Sequence, residues 1–185
     1  MLALDACPAA APARWLVWFV SEHDAGAAWN VKLALATLDA ETTGWGLRVV
    51  HAAPSAPAAE AVLAALPARC RARADVASLE RFGLKGRVDF KLISCLWKTR
   101  AYYEGIGAGP LLVAGGDDVI VRRPPSAAEL NETFLGAPWA WCDYGGKAPR
   151  TCQRVACFCG GNGGFSLRSP AFVASRAPRG VLLWR

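Results

Sequence analysis

Apolar and polar positions fall into blocks along this chain, and block length separates strands from helices. Trp15 to Val20 is an unbroken apolar run of six residues, the length of a strand buried on both faces. The following "DAGAAWNVKLALATLDA" has the alanine- and leucine-rich spacing of a helix, with Asp24 near its start as an N-cap. Gly44 closes that region, and "GLRVVHA" reads as a second strand. "APAAEAVLAALPARCRARAD" predicts a second helix, broken or kinked at Pro67. Phe90, Ile93, Leu96 and Trp97 share one face of a third helix over Phe90 to Tyr103. "GPLLVAGG" then predicts a central strand. Further on, "CFCGGNGGFSLRSP" sets glycines around Asn162 just before a short strand at Phe165 and Leu167. Those glycines suit either a tight turn or bulge, or a ligand lying against the main chain.

Strand, helix, strand, helix, helix, strand is the order of an α/β protein with a mostly parallel, Rossmann-like sheet and helices on both faces. Ligands of such sheets bind beyond the carboxyl ends of the strands, so the residues after "LLVAGG" are where chemistry is expected. The 185 residues form one domain over 14–185, preceded by a flexible segment over 1–13. With 54% hydrophobic and 19% charged residues the chain fills a core and is not disordered. No window reaches 18 uninterrupted apolar residues, so no membrane span is expected. Asp5 comes early, with no basic run ahead of an apolar stretch. The N-terminus therefore does not read as a secretory signal, and a cytoplasmic location is the default. "NET" at Asn131 fits a glycosylation acceptor, which matters only on a secretory route.

The net charge of +6 is concentrated between Arg69 and Arg100, where nine Lys or Arg meet three acids. Such a stretch fits a solvated helix face, or a surface that holds phosphates. No nucleic-acid motif accompanies it, so nucleic acid is not an expected partner. Four of the seven cysteines, Cys142, Cys152, Cys157 and Cys159, lie close together. Their C-x9-C-x4-C-x-C spacing lacks paired C-x2-C knuckles, leaving zinc ligation, disulfides and buried free thiols all open.

Asp117 and Asp118 follow the central strand and lead into "VIVRRPP". Two adjacent carboxylates there suit a divalent cation with oxygen ligands, Mg²⁺ or Mn²⁺, bridging a diphosphate. The alternative is a turn cap beside an ion pair to Arg122 or Arg123. The ordered set "LLVAGGDDVIVRRP", "FLGAPWAW" and "GNGGFSLRS" resembles a family of glycosyltransferase-like domains of the GT-A type. Members of that family carry a strand ending in a "QTDS"-like turn, then "IGAPW", then "GNGGLSLRS". Gly44 with Trp45 also matches, and the likeness spans roughly Trp15 to Pro170.

The resemblance implies a GT-A fold and transfer of a sugar from a nucleotide-sugar donor to an acceptor, assisted by a metal at the acidic turn. Asp117 falls on the family's Asp, and Asp118 stands where a small polar residue is usual. Gly115 occupies the position of the first acid or its glutamine substitute, a departure that puts metal binding in question. By the same likeness Gly161, Asn162, Gly163 and Gly164 edge the sugar cleft, with Trp139 as an apolar platform and Trp141 as packing. Asp143 is the one candidate general base of an inverting transfer, while His23 and His51, near strand ends, read as surface or satisfied core residues; a retaining transfer needs no base. Family domains continue well past the glycine motif, whereas this sequence ends at Arg185, as for a fragment or a minimal acceptor side. The competing classes are a domain that binds sugar or nucleotide without catalysis, and a zinc-stabilised basic interaction module.

Overall fold

The computed structural model describes residues 14–40, 44–88, 110–115 and 166–168, the backbone of 134–138 and 160–165, and the single positions Leu4, Cys7, Pro12, Leu92, Ile93, Leu96, Tyr102 and Ile120. Strand β1 (Arg14–Phe19) leads into helix α1 (Ala27–Thr37) and strand β2 (Trp45–His51). A 3-10 turn over Ala53–Ser55 runs into α2 (Ala56–Ala65), followed by the single-turn α3 (Ala68–Arg71) and β3 (Asp75–Ser78). Strands β4 (Leu111–Ala114), β5 (Phe134–Pro138) and β6 (Gly160–Arg168) complete a six-stranded sheet in the order β3-β2-β1-β4-β6-β5. β1 pairs in parallel with β2 and β4, as does β2 with β3, whereas β6 is antiparallel to both β4 and β5. Five strands thus share one direction and β6 alone is reversed. The protein is a mixed α/β fold on a mostly parallel sheet.

Side chains alternate between two apolar layers, as strand geometry requires. Leu16, Trp18, Leu47, Val49, Leu112 and Leu167 point to one face, where Val31, Ala34 and Leu35 of α1 and Ala59 and Val62 of α2 cover them. Val17, Phe19, Val50, Leu111 and Val113 point to the other, against Leu79, Leu96 and Tyr102. Burial on both faces explains why these strands read as continuous apolar runs. Each fully buried aliphatic side chain contributes about 1.5–3 kcal/mol of transfer free energy.

The helix boundaries follow local chemistry. α1 begins at Ala27 with Gly26 at the N-cap and no side-chain cap, so Asp24 is not its cap. The Asp24 carboxylate instead accepts the Ser21 N–H at 2.6 Å, and its carbonyl accepts the Ala27 N–H at 3.1 Å, folding the β1–α1 turn. Asp39 just past the helix is left-handed at φ 51°, a conformation Asp tolerates, and Gly44 ahead of β2 has φ 72°. The second helix is broken ahead of Pro67: Leu66 is extended (ψ 148°), because proline disfavours helical dihedrals in the residue before it. The chain then straightens into β3, a strand the periodicity did not announce. Leu92, Ile93, Leu96 and Tyr102 are helical; Phe90 and Trp97 lie outside the described residues.

Two points of the N-terminal segment are fixed. Cys7 is disulfide-bonded to Cys70 of α3, 63 residues away in sequence. In a chain-entropy view, closing a loop of that length is worth about 4 kcal/mol. Pro12 packs against Gly46, where an added Cβ would stand 2.4 Å from the proline Cγ.

Candidate functional site at the carboxyl edge of the sheet

The strand order reverses between β1 and β4. From β1 the chain crosses to β2 on one side, and after β3 it returns to β4 on the other. Trp18 is in register with Ala114, so the turn after β1 and the chain leaving Gly115 start side by side. In open α/β sheets the crevice at such a reversal is where ligands bind.

The reversed strand brings the glycine motif to the same edge. Val113 is in register with Ser166, so the residues ahead of Ser166 continue past β4 in the direction of its carboxyl end. Gly136 pairs with Ser166, and the next residue of β5, Ala137, pairs with Asn162. Gly163, Gly164 and Phe165 therefore have no counterpart on β5 and form an extended bulge, and Gly161 is likewise passed over between Asn162 and Gly160. The glycines thus form a bulge rather than a tight turn, beside the strand that leads to the acidic pair. Asp117, Asp118, Trp139, Trp141 and Asp143 lie outside the described residues, as do Cys142, Cys152, Cys157 and Cys159. Arg168, by contrast, sits at the amino end of β4, opposite Leu111, buried with its Nε donating to Ser166 Oγ at 3.1 Å. Three residues of strand, about 10 Å, separate that level from Ala114. Its place is structural.

Further polar groups at the carboxyl edge were not singled out from sequence. Glu80 follows β3 and reaches back to the end of β2, where its Oε1 accepts the Ala53 N–H at 2.9 Å. The Ser78 hydroxyl donates to Glu80 Oε2 and accepts the Glu80 N–H at 3.3 Å, starting the 3-10 turn Leu79–Phe82. These bonds hold the Glu80 carboxyl below its ordinary value, the Ser78 hydroxyl first and the Ala53 N–H second, with His51 adding a smaller attraction against the cost of burial. Ser78 carried the local signal, since a serine hydroxyl can bond the backbone two residues on and start a turn. His51 ends β2 with Nδ1 donating to the Ala52 carbonyl at 3.0 Å. Glu22, in the turn after β1, meets Arg87 Nε at 3.3 Å.

Where the β1–α1 turn meets α2 a cavity of about 370 Å³ opens, lined by Glu22, His23 and Asp24 on its polar side and Ala28, Ala58 and Val62 on its apolar side. Of the basic stretch, Arg69, Arg71, Arg73, Arg81, Lys85 and Arg87 are exposed. Among the described residues, no group of three or more His, Cys, Asp or Glu is placed to hold a metal ion. No helix among them is long and apolar enough to cross a membrane. No family model, no curated protein and no solved structure matches this chain.

Proposed function

We propose that this chain is a glycosyltransferase-like domain of the GT-A type that holds a nucleotide-sugar donor at the carboxyl edge of its sheet. The observation that carries the reading is the reversed strand β6, whose glycine bulge lies beyond the end of β4 beside the β1–β4 reversal. In sequence the acidic turn follows β4 directly, so the reading sets Asp117 and Asp118 at the edge where the glycines lie.

In this reading the chemistry of the donor set fits a hard divalent cation, since Asp117 and Asp118 supply only carboxylate oxygens. Mn²⁺ or Mg²⁺ held there would neutralise the diphosphate of the leaving nucleotide. The protein's own groups do the rest. The glycines of β6 admit a hydroxylated ring close to the backbone, the Asn162 amide donates and accepts hydrogen bonds to it, and Trp139 offers an apolar face. Asp143 takes the acceptor proton if the transfer inverts. A second reading, a domain that binds nucleotide or sugar without turnover, is favoured by one observation: Gly115, at the end of β4, stands where the resembled family has its first acid.

Calorimetric titration with UDP and GDP, with and without Mn²⁺, tests both readings. Mn²⁺-dependent binding that Asp117→Ala abolishes is expected, and turnover of nucleotide sugars then separates transferase from binding domain. Absence of binding to folded protein would remove both.

A further inference from the structure

The disulfide between Cys7 and Cys70 has its Cα atoms 5.0 Å apart, and both residues are buried, at 5% and 4% exposure. They belong to the larger apolar layer, together with Leu66, Val62 and Leu35. The bond encloses β1, α1, β2 and α2 and joins the start of the chain to α3. Between the cysteine and β1, Pro12 fills the space that Gly46 leaves.

Burial decides what kind of disulfide this is. Exchange requires a thiolate to reach one of the sulfurs, and catalytic or regulatory disulfides are accessible for that reason. A bond enclosed among aliphatic side chains is set when the chain folds and is kept afterwards. Such bonds form and persist in oxidising surroundings and are rare where glutathione and thioredoxin keep thiols reduced. We infer that this domain matures in an oxidising compartment, and that Cys7–Cys70 is the structural bond made there. In the step, the two thiols lose two protons and two electrons as one S–S bond forms, and a small or protein disulfide donor is reduced to two thiols. The inference stands apart from the proposed function, and it departs from the cytoplasmic default that the N-terminal sequence suggested.

The test begins with the full chain, reduced and denatured, then refolded in glutathione buffer that is either rich in the oxidised form or kept reduced. Alkylation and non-reducing peptide mapping should find a linked Cys7–Cys70 peptide in the first buffer only. The reduced protein should show an unfolding constant roughly 30-fold to several-thousand-fold larger. In Cys7→Ala/Cys70→Ala the two buffers should give the same unfolding midpoint, which excludes effects of the other five cysteines. Should that variant not fold, mapping of the unaltered chain decides alone. Protein taken from its own cells, with thiols trapped by alkylation at lysis, should carry the same linked peptide. Both cysteines alkylated in that sample, or equal wild-type midpoints in the two buffers, would overturn the inference.

Discussion

Arg48 of β2 and Asp75 of β3 are register partners across the parallel pair, and the buried guanidinium meets the carboxylate directly. The same guanidinium lies over the Trp15 ring, 5.1 Å from its centre, reaching it diagonally from two residues along the β1–β2 register. The pair is unequal. Arg48 is 7% exposed at its side chain and Asp75 is 31% exposed, so water can solvate the acid but not the base.

That inequality predicts unequal mutants. Asp75→Asn leaves a buried cation without its counter-charge and should cost about 2–3 kcal/mol, under the 3–5 of a fully buried pair because Asp75 is partly solvated. Arg48→Met leaves a carboxylate that water can reach and should cost about 1 kcal/mol. Urea midpoints at constant slope measure both; an equal loss would contradict the assignment.

Gly46 marks a close approach. Besides Pro12, a Cβ there would come within 3.1 Å of Trp15 Cζ3, so Gly46→Ala must push the N-terminal segment or the indole aside. A loss of about 1–3 kcal/mol is expected from this overpacking. Gly26→Ala is the control, because its Cβ would have only Asn30 Nδ2 nearby, at 3.9 Å. It should change the stability by less than about 0.5 kcal/mol.

Glu80 gives a pH signature with a definite sign. Its folded-state value lies below the ordinary carboxyl value of 4.5, so its contribution is complete above that pH and is lost as pH falls through the lowered value. Wild type should therefore melt above Glu80→Gln at pH 7, and the gap should close on acidification below about 4.5. A gap that widens toward acid would mean that the carboxyl is stabilised in its protonated form.

Much of the scaffold was legible because it is apolar and continuous. Trp15 to Val20, "GLRVVHA" and "LLVAG" are apolar at nearly every position, Arg48 and His51 apart, as strands covered on both sides require, and all three lie in strands or at their ends. Pro67 marked the break in the second helix for a reason confined to its own ring. β3 was not legible: its four residues follow an Arg-rich helical stretch, and it is an edge strand held by Arg48, whose position only the register reveals. The Cys7–Cys70 pairing could not be read either, since 63 residues separate the two and the eye goes to the late cysteines. Of the residues named for the candidate site, the glycines of β6 lie beyond the carboxyl end of β4. The acids and tryptophans named with them lie outside the described residues.

The proposed donor site lies at the carboxyl edge, between the turn after β1 and the glycine bulge of β6. Hydrogen–deuterium exchange on the full chain, with and without UDP or GDP and Mn²⁺, tests it most directly. Protection confined to Val20–Asp24, Gly115 and Gly161–Gly164 is the predicted result. Protection at the amino edge instead, around Pro12, Gly46 and Arg168, or no change in either region under saturating nucleotide, would contradict it.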